Sequence, residues 1–302
     1  MDDLLSGLDA VEKLATASKI NRLMTRPLKY GFAMLFNKIV YPVAQKGVLK
    51  KTGTFFGLPM YVLLPAGTDI YVAGGKTHDS EIRLARFLIR TLQPQDVFVD
   101  VGAHFGYFSL LASRLVREGA VFSFEASGNN FDLLKRNVGK TDNIRTVHNA
   151  VSDSNEPIEF FELPVVYSEY NTTEPEQFQK EGWYLKIRPE KKMVVAVTLD
   201  KFLTDNHLRP AIIKIDVEGA ELKVIRGGTE HLKNEAPLVI MEYLEPRRNN
   251  GNHRMAADLL RDLQYLPHVI TRSGALEVCH DIDAYLDAGH HESDNIVFVK
   301  NI

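Results

Sequence analysis

The chain is poor in cysteine and tryptophan, with one of each in 302 residues. The lone Cys279 excludes an internal disulfide and a cysteine-based zinc cluster. A small buried hydrophobe is the ordinary use of such a residue, and it suits a reducing cytoplasm, the expected location. No apolar run approaches the length that spans a bilayer. No stretch reads as a secretory signal, since Met1-Asp2-Asp3 opens acidic and mixed residues follow. Low-complexity tracts and repeats are absent. A large excess of one charge is lacking too: the net charge is -3, so there is no broad basic footprint and nucleic acid is not an expected partner. What is present is ordinary for a globular protein, 45% hydrophobic and 25% charged, in a chain long enough for one large domain with an appendage.

The charge is unevenly spread. Residues 1–51 hold nine basic residues against four acids, a balance of +5 that leaves -8 for residues 52–302. Leu4, Leu5, Leu8, Val11 and Leu14 repeat at helical spacing, and Tyr30 to Val43 reads as a denser apolar helix ending before Pro42. Residues 1–52 are therefore expected to form a helical extension ahead of a main domain over 53–302. Two readings of the extension stand open. A basic amphipathic helix lies on an anionic membrane surface, here the inner one. Alternatively the segment packs on its own domain or on a sister subunit, as the arm of a homodimer.

From Gly53 onward β-rich runs and helical runs alternate. Met60 to Leu64 and Asp69 to Val72 flank a Pro65-Ala66-Gly67-Thr68 turn and predict a hairpin. The polar loop from Gly74 to Glu81 places His78, Asp79 and Glu81 within reach of a ligand, or simply caps the helix that follows. Val97-Phe98-Val99-Asp100-Val101 then reads as a strand buried on both faces. Gly102 and Gly106 bracket a tight loop before a helix. Strand, glycine loop and helix are how a nucleotide-like cofactor is held. The spacing is G-x-x-x-G led by an acid, not the G-x-G-x-x-G of an NAD-dependent oxidoreductase. An acid there repels a pyrophosphate but suits an ammonium or sulfonium ligand such as S-adenosylmethionine. A second strand, Val121 to Phe124, ends in Glu125, nineteen residues after Gly106. That is close to the ~20 at which a carboxylate meets ribose hydroxyls.

Further on, Val147 to Val151 predicts a third strand whose end, at Ala150 and Val151, lies beside an adenine. Residues 156–197 form a polar insertion carrying Tyr170, a lid or acceptor wall. Ala211 to Ile215 is a strand, apolar except for Lys214, that ends at Asp216 and leads into Val217-Glu218-Gly219. Pro237 to Met241 ends at Glu242. Val269 to Thr271 and Asn295 to Val299 complete a sheet expected to be parallel, with right-handed crossovers. In such a fold the first and fourth strands are neighbours, so Asp100, Asp216 and Glu218 converge where strand order reverses.

Five motifs come in a fixed order: F-V-D-V-G-A-H-F-G-Y-F-S (98–109), F-E-A-S (124–127), N-A-V-S-D (149–153), T-L-D-K-F-L (198–203) and I-K-I-D-V-E-G-A-E (213–221). In these the chain resembles the S-adenosylmethionine-dependent methyltransferases of the FkbM type, over roughly residues 80–300. The resemblance implies an α/β fold, a Rossmann-like seven-stranded class I methyltransferase sheet with helices on both faces. It also implies methylation of an oxygen, a hydroxyl on a sugar, glycan or secondary metabolite. Carried over by position, Asp100, Gly102, His104 and Gly106 line the methionine part of the cofactor. Glu125 and Ala126 hold the ribose, Ala150 and Val151 flank the adenine, and Asp216 sits by the methyl group. The chain departs from the family pattern at His104, where Asn is common, and at Ser127, where Pro is. An alcohol acceptor must lose its proton, which calls for a base or a metal. Asp216, Glu218 and His104 are the candidate bases, while His78, Glu81, Tyr170 and Glu242 are candidates to face the acceptor. Asp216, Glu218 and Glu242 also form an oxygen donor set of the kind Mg²⁺ prefers. The rival classes are a catalytically silent methyltransferase-like scaffold and an NAD-dependent oxidoreductase.

Overall fold

The computed structural model describes residues 1–179, 182–187 and 189–301. Lys180, Glu181 and Arg188 of the expected insertion lie outside that set, as does Ile302 of the expected main domain.

The chain opens with α1 (Asp2–Thr16), α2 (Lys19–Thr25) and α3 (Pro27–Leu35). A π-helical turn over Phe36–Val40 joins α3 to α4 (Tyr41–Ala44). The helix thus runs through Pro42 rather than stopping before it. The Tyr41 N–H reaches back to the Phe36 carbonyl, and Pro42 falls in the first turn of α4, where a missing N–H costs little. α1 packs on the main body: Leu8 and Val11 are buried, and Arg86 pairs with Asp9 and Glu12.

A hairpin follows, but not the expected one. β1 (Val48–Gly53) pairs antiparallel with β2 (Pro59–Leu64), and residues of the expected second arm form α5 (Thr68–Ala73). Gly74, left-handed at φ 78°, caps that helix, and burial of Ile70 and Val72 outweighs the β preference of Ile-Tyr-Val. The expected division after residue 52 falls inside β1.

Next come α6 (Asp79–Thr91), β3 (Val97–Val101), α7 (Tyr107–Leu115), β4 (Ala120–Phe124), α8 (Gly128–Val138) and β5 (Ile144–Val147). The expected third strand breaks at His148-Asn149. Its last two residues, β6 (Ala150–Val151), pair in parallel with β9 (Ala196–Val197) instead. Between them, β7 (Ile158–Glu162) and β8 (Glu190–Val194) pair antiparallel and frame the insertion. α9 (Leu199–Asp205), β10 (Ile212–Ile215), α10 (Glu221–Gly227), α11 (Thr229–Glu235), β11 (Leu238–Leu244) and α12 (Gly251–Asp262) follow. The chain closes with β12 (Tyr265–Ile270), β13 (Leu276–Val278), α13 (Ile282–Gly289) and β14 (Ser293–Lys300).

The main sheet has the order β13-β12-β14-β11-β10-β3-β4-β5. β5, β4, β3, β10 and β11 run parallel; β14 is antiparallel to both β11 and β12. The sheet is therefore mixed rather than all parallel, and the three-residue β13 adds an eighth strand at one edge. Strict alternation divides the core in two. Phe98, Val121, Ile212, Ile240 and Val297 face one layer, with α6, α7, α8, the hairpin and α1. Val99, Phe122, Ile213, Val239 and Ile296 face the other, with α9 to α13. Strand order reverses between β3 and β10, the place where an open α/β sheet leaves a crevice at its carboxyl edge.

Candidate functional site

Loops leaving the carboxyl ends of β3, β4, β10 and β11 line a cavity of about 330 Å³, together with the Gly74–Glu81 loop and the insertion. Gly102 is where two of these loops meet. Its φ is +81°, and a Cβ there would lie 1.8 Å from the Asp216 carbonyl oxygen, so only glycine lets them touch. The Gly102 and Ala103 N–H groups both donate to the Phe124 carbonyl, which locks the first loop to the second strand. His104 follows in left-handed conformation, φ 49°, which His and Asn tolerate better than most residues. Its ring stacks on Phe105, and Nε2 lies 3.3 Å from Ser168 Oγ. Burial and the nearby Lys76 cation push its pKa down to about 3, so the imidazole is neutral.

Glu125 sits one residue past β4. Its carboxylate accepts from the backbone N–H groups of His104 (2.8 Å) and Ser127 (2.9 Å). Burial outweighs those donors and raises its pKa to about 7. Asp216 sits one residue past β10, 3.0 Å from Lys214 Nζ. Burial opposes its ionisation, but Lys214 and Lys76 prevail and hold it below the usual carboxylate range. Glu218, left-handed at φ 54°, goes the other way. Burial, Glu242 and Asp216 raise it well above the ordinary value, and burial with Asp216 raises Glu242 to about 8. Oxygens of Asp216, Glu218 and Glu242 lie within 4.8 Å of one another. Such a set suits a hard cation, and without one Glu218 and Glu242 hold protons more tightly than ordinary carboxylates.

Of the residues singled out in the sequence, Gly102, His104, Glu125, Ala126, Ala150, Val151, Asp216 and Glu218 line this one cavity, as do His78, Glu81, Tyr170 and Glu242. Two do not. Asp100 is 1% exposed and lies beneath the floor, where it accepts from Ser109 Oγ at 2.6 Å and faces Lys214 at 3.5 Å. Gly106 precedes α7 at φ 86°, and a Cβ there would press to 2.6 Å on Leu134. Asp79 is outside as well, paired with Arg83.

Several lining residues went unread. Lys76 is 3.2 Å from Glu81; burial pulls its pKa down, but Glu81, Glu169 and Asp216 raise it further. Glu169, from the insertion, is raised by burial to about 7. Asp69, Asn130 and Asn149 also face the cavity. The insertion is clamped over the second loop: Thr172 Oγ1 donates to the Glu218 carbonyl at 2.6 Å, and a Cβ on Gly219 would strike Gln177 at 2.0 Å.

Residues 100–286 match the family model described as "Methyltransferase FkbM domain". Over 152 residues the chain is 26% identical to a protein of Haloferax volcanii described as "Hexuronic acid methyltransferase AglP", covering 49% of this chain and 56% of that one. Over 181 residues it is 29% identical to "Methyltransferase sdnD" of Sordaria araneosa, covering 52% and 70%. The match thus spans a little over half the length of the archaeal relative. Among solved structures, methyltransferase FkbM from Methylobacillus flagellatus KT is similar at TM-score 0.42 and 12% identity, over 78% of this chain and 52% of that one.

Proposed function

The chain belongs to the FkbM methyltransferase domain family, and from that premise we propose that it transfers the methyl group of S-adenosylmethionine to a hydroxyl of a sugar, glycan or secondary metabolite. One observation carries the reading: Gly102, Glu125 and Asp216, from three separate strand ends, line a single cavity at the reversal of strand order.

The residues present fit that cofactor. Glu125 has the buried acceptor oxygens that a pair of ribose hydroxyls would meet, and Phe124, Ala126, Ala150 and Val151 supply apolar walls for an adenine, with Asn149 beside them. Asp216, held ionised by Lys214, offers negative charge to a sulfonium. When bound, the cofactor supplies an electrophilic methyl group. The chain's own part is to orient the acceptor, exclude water and accept a proton.

For that proton the carboxylates are better matched than the histidine. A neutral imidazole with a pKa near 3 is a weak base, so His104 is assigned to hydrogen bonding. Asp216 stands ionised, and Glu218 and Glu242 are positioned to pass the acceptor's proton onward. This reading gives the proton to carboxylates rather than to a Mg²⁺-bound oxygen, because mutual repulsion and burial already bring Glu242 near the working range of a base. Acid side chains outnumber basic ones along the wall, which suits an uncharged polyhydroxylated acceptor that donates hydrogen bonds. An acidic sugar, the substrate class in the archaeal relative's name, would need Lys76 or Arg248 at its carboxylate.

Isothermal titration with S-adenosylmethionine, followed by labelled methyl transfer onto neutral and acidic sugars, tests the reading. Saturable binding and label on a neutral sugar are expected. Binding of NAD in its place, or silence toward both, would refute it.

A further inference from the structure

The two readings of the basic N-terminal segment divide at residue 17. α1 packs against α6, as described above. The following helices leave an apolar stripe exposed. Among the described residues, nine of the fifteen exposed large hydrophobics fall between Ile20 and Leu49. Ile20 and Met24, 71% and 77% exposed, share one side of α2; Leu28, Ile39 and Val43, 87%, 61% and 86% exposed, run along the continuous helix of α3, the π turn and α4. The opposite side of that helix buries Ala33, Phe36 and Tyr41, so the exposed stripe belongs to a firmly seated element. The segment's own charge has one sign. From Lys13 to Thr68 the sequence contains nine Lys and Arg and no Asp or Glu, and Lys19, Arg26, Lys38 and Lys46 are exposed.

A partner must satisfy both features at once. A second copy pairing through this face would set two cationic segments against each other. A nucleic acid would meet the cations and leave the aliphatic stripe wet. An anionic bilayer meets both: the stripe enters the boundary between headgroups and acyl chains while the cations face lipid phosphates. We propose that α2, α3 and α4 form a docking face for an anionic phospholipid bilayer. The helix that docks is also bonded to two elements that carry cavity-lining residues, through Asn37 to Thr68 at the start of α5, next to Asp69, and through Tyr41 OH, which accepts from the Val166 N–H of the insertion, two residues before Ser168. A bound membrane surface would therefore press on an element continuous with the cavity walls.

Co-sedimentation of the full chain with vesicles tests this without reference to any methyl transfer. Vesicles containing phosphatidylglycerol should carry the protein down, pure phosphatidylcholine vesicles should not, and high salt should weaken the binding. The triple variant Leu28→Glu, Ile39→Glu, Val43→Glu should lower partitioning more than about tenfold with its melting temperature unchanged, since all three side chains are already exposed. The pair Lys38→Glu, Lys46→Glu should lower it too and flatten the salt dependence. Three results overturn the proposal: no binding of the wild type to anionic vesicles, binding that both variants retain, or a wild-type dimer in light scattering that the triple variant dissociates. Capture by a duplex RNA probe in preference to vesicles would overturn it as well.

Discussion

The cavity has two ends, and each keeps carboxylates buried by a different means. At the β4 end Glu125 stands among backbone donors, His104 N–H and Ser127 N–H. At the β10–β11 end Asp216, Glu218 and Glu242 crowd together, and the donors are lysines. Burial, offset only in part by those N–H donors, leaves the first end able to gain or lose a proton near neutrality, the setting for a neutral, hydroxyl-bearing group. Lysine charges hold one acid of the second end ionised and leave its neighbours protonated. Under the proposed function, the first end is the one for ligand recognition and the second the one for proton handling.

Asp216→Asn bears hardest on that division. It keeps the shape and removes the ionised group, so turnover should fall about 10³-fold, roughly 4 kcal/mol, while S-adenosylmethionine binding in titration changes far less. Turnover within a few-fold of wild type would put the proton elsewhere. Lys214→Met acts one layer below. It removes the Lys214 cation from Asp100 and leaves Asp216 with Lys76, at a cost of about 3 kcal/mol or more in chemical denaturation, and it should move the acidic limb of the pH–rate profile upward. An unmoved limb would mean that Lys214 supports the fold alone.

Why Lys214 was not read as part of the site follows from one residue of register. Asp100 and Asp216 look alike in the sequence, each an acid closing an apolar run. β3 continues through Val101, so Asp100 lies inside the ladder directly opposite Lys214 and beneath Ser109. β10 ends at Ile215, so Asp216 is already in the loop and faces the cavity. Strand ends are uncertain by that much in any sequence, and a slip of one residue turns a side chain to the other face. Glycine needs were legible at Gly102, because a tight loop between a strand and a helix demands them. Lys76 and Glu169 were not, since they come from connections with no period. Their place depends on how the hairpin and insertion fold over the sheet. The alternating strands announced the two-layer core, whereas the reversed β14 carries the same apolar pattern as a parallel strand and is silent about direction.

The β4 end can be tested through pH. Glu125 and Glu169 have folded pKa values raised to about 7, and Glu242 to about 8, chiefly by burial. For a raised group the stabilising contribution is fully present below the unfolded value of about 4.5 and is lost as pH rises through the folded one. The ligand-free protein should therefore lose stability between about pH 4.5 and 8, by up to about 3 kcal/mol from Glu125 alone. Denaturation across that range should slope downward, and Glu125→Gln should flatten the slope and weaken S-adenosylmethionine binding about tenfold. A wild-type stability flat over the range would mean that hydrogen bonds, not burial, govern Glu125.

The smallest expected effect sharpens the division most. His104 belongs to the recognition end by position, but an imidazole is the side chain type most often used as a base. With its pKa pushed down to about 3 it has little proton affinity to offer at neutral pH, and what it gives the loop is a left-handed residue with a hydrogen-bonding tip. Asn adopts the same backbone region readily and keeps a polar tip. His104→Asn should therefore cost no more than about 0.5 kcal/mol in stability and leave turnover within roughly twofold across the pH range. A hundredfold fall, the scale expected when a general base is lost, would move proton handling to the β3–β4 side and reverse the assignment of the two ends.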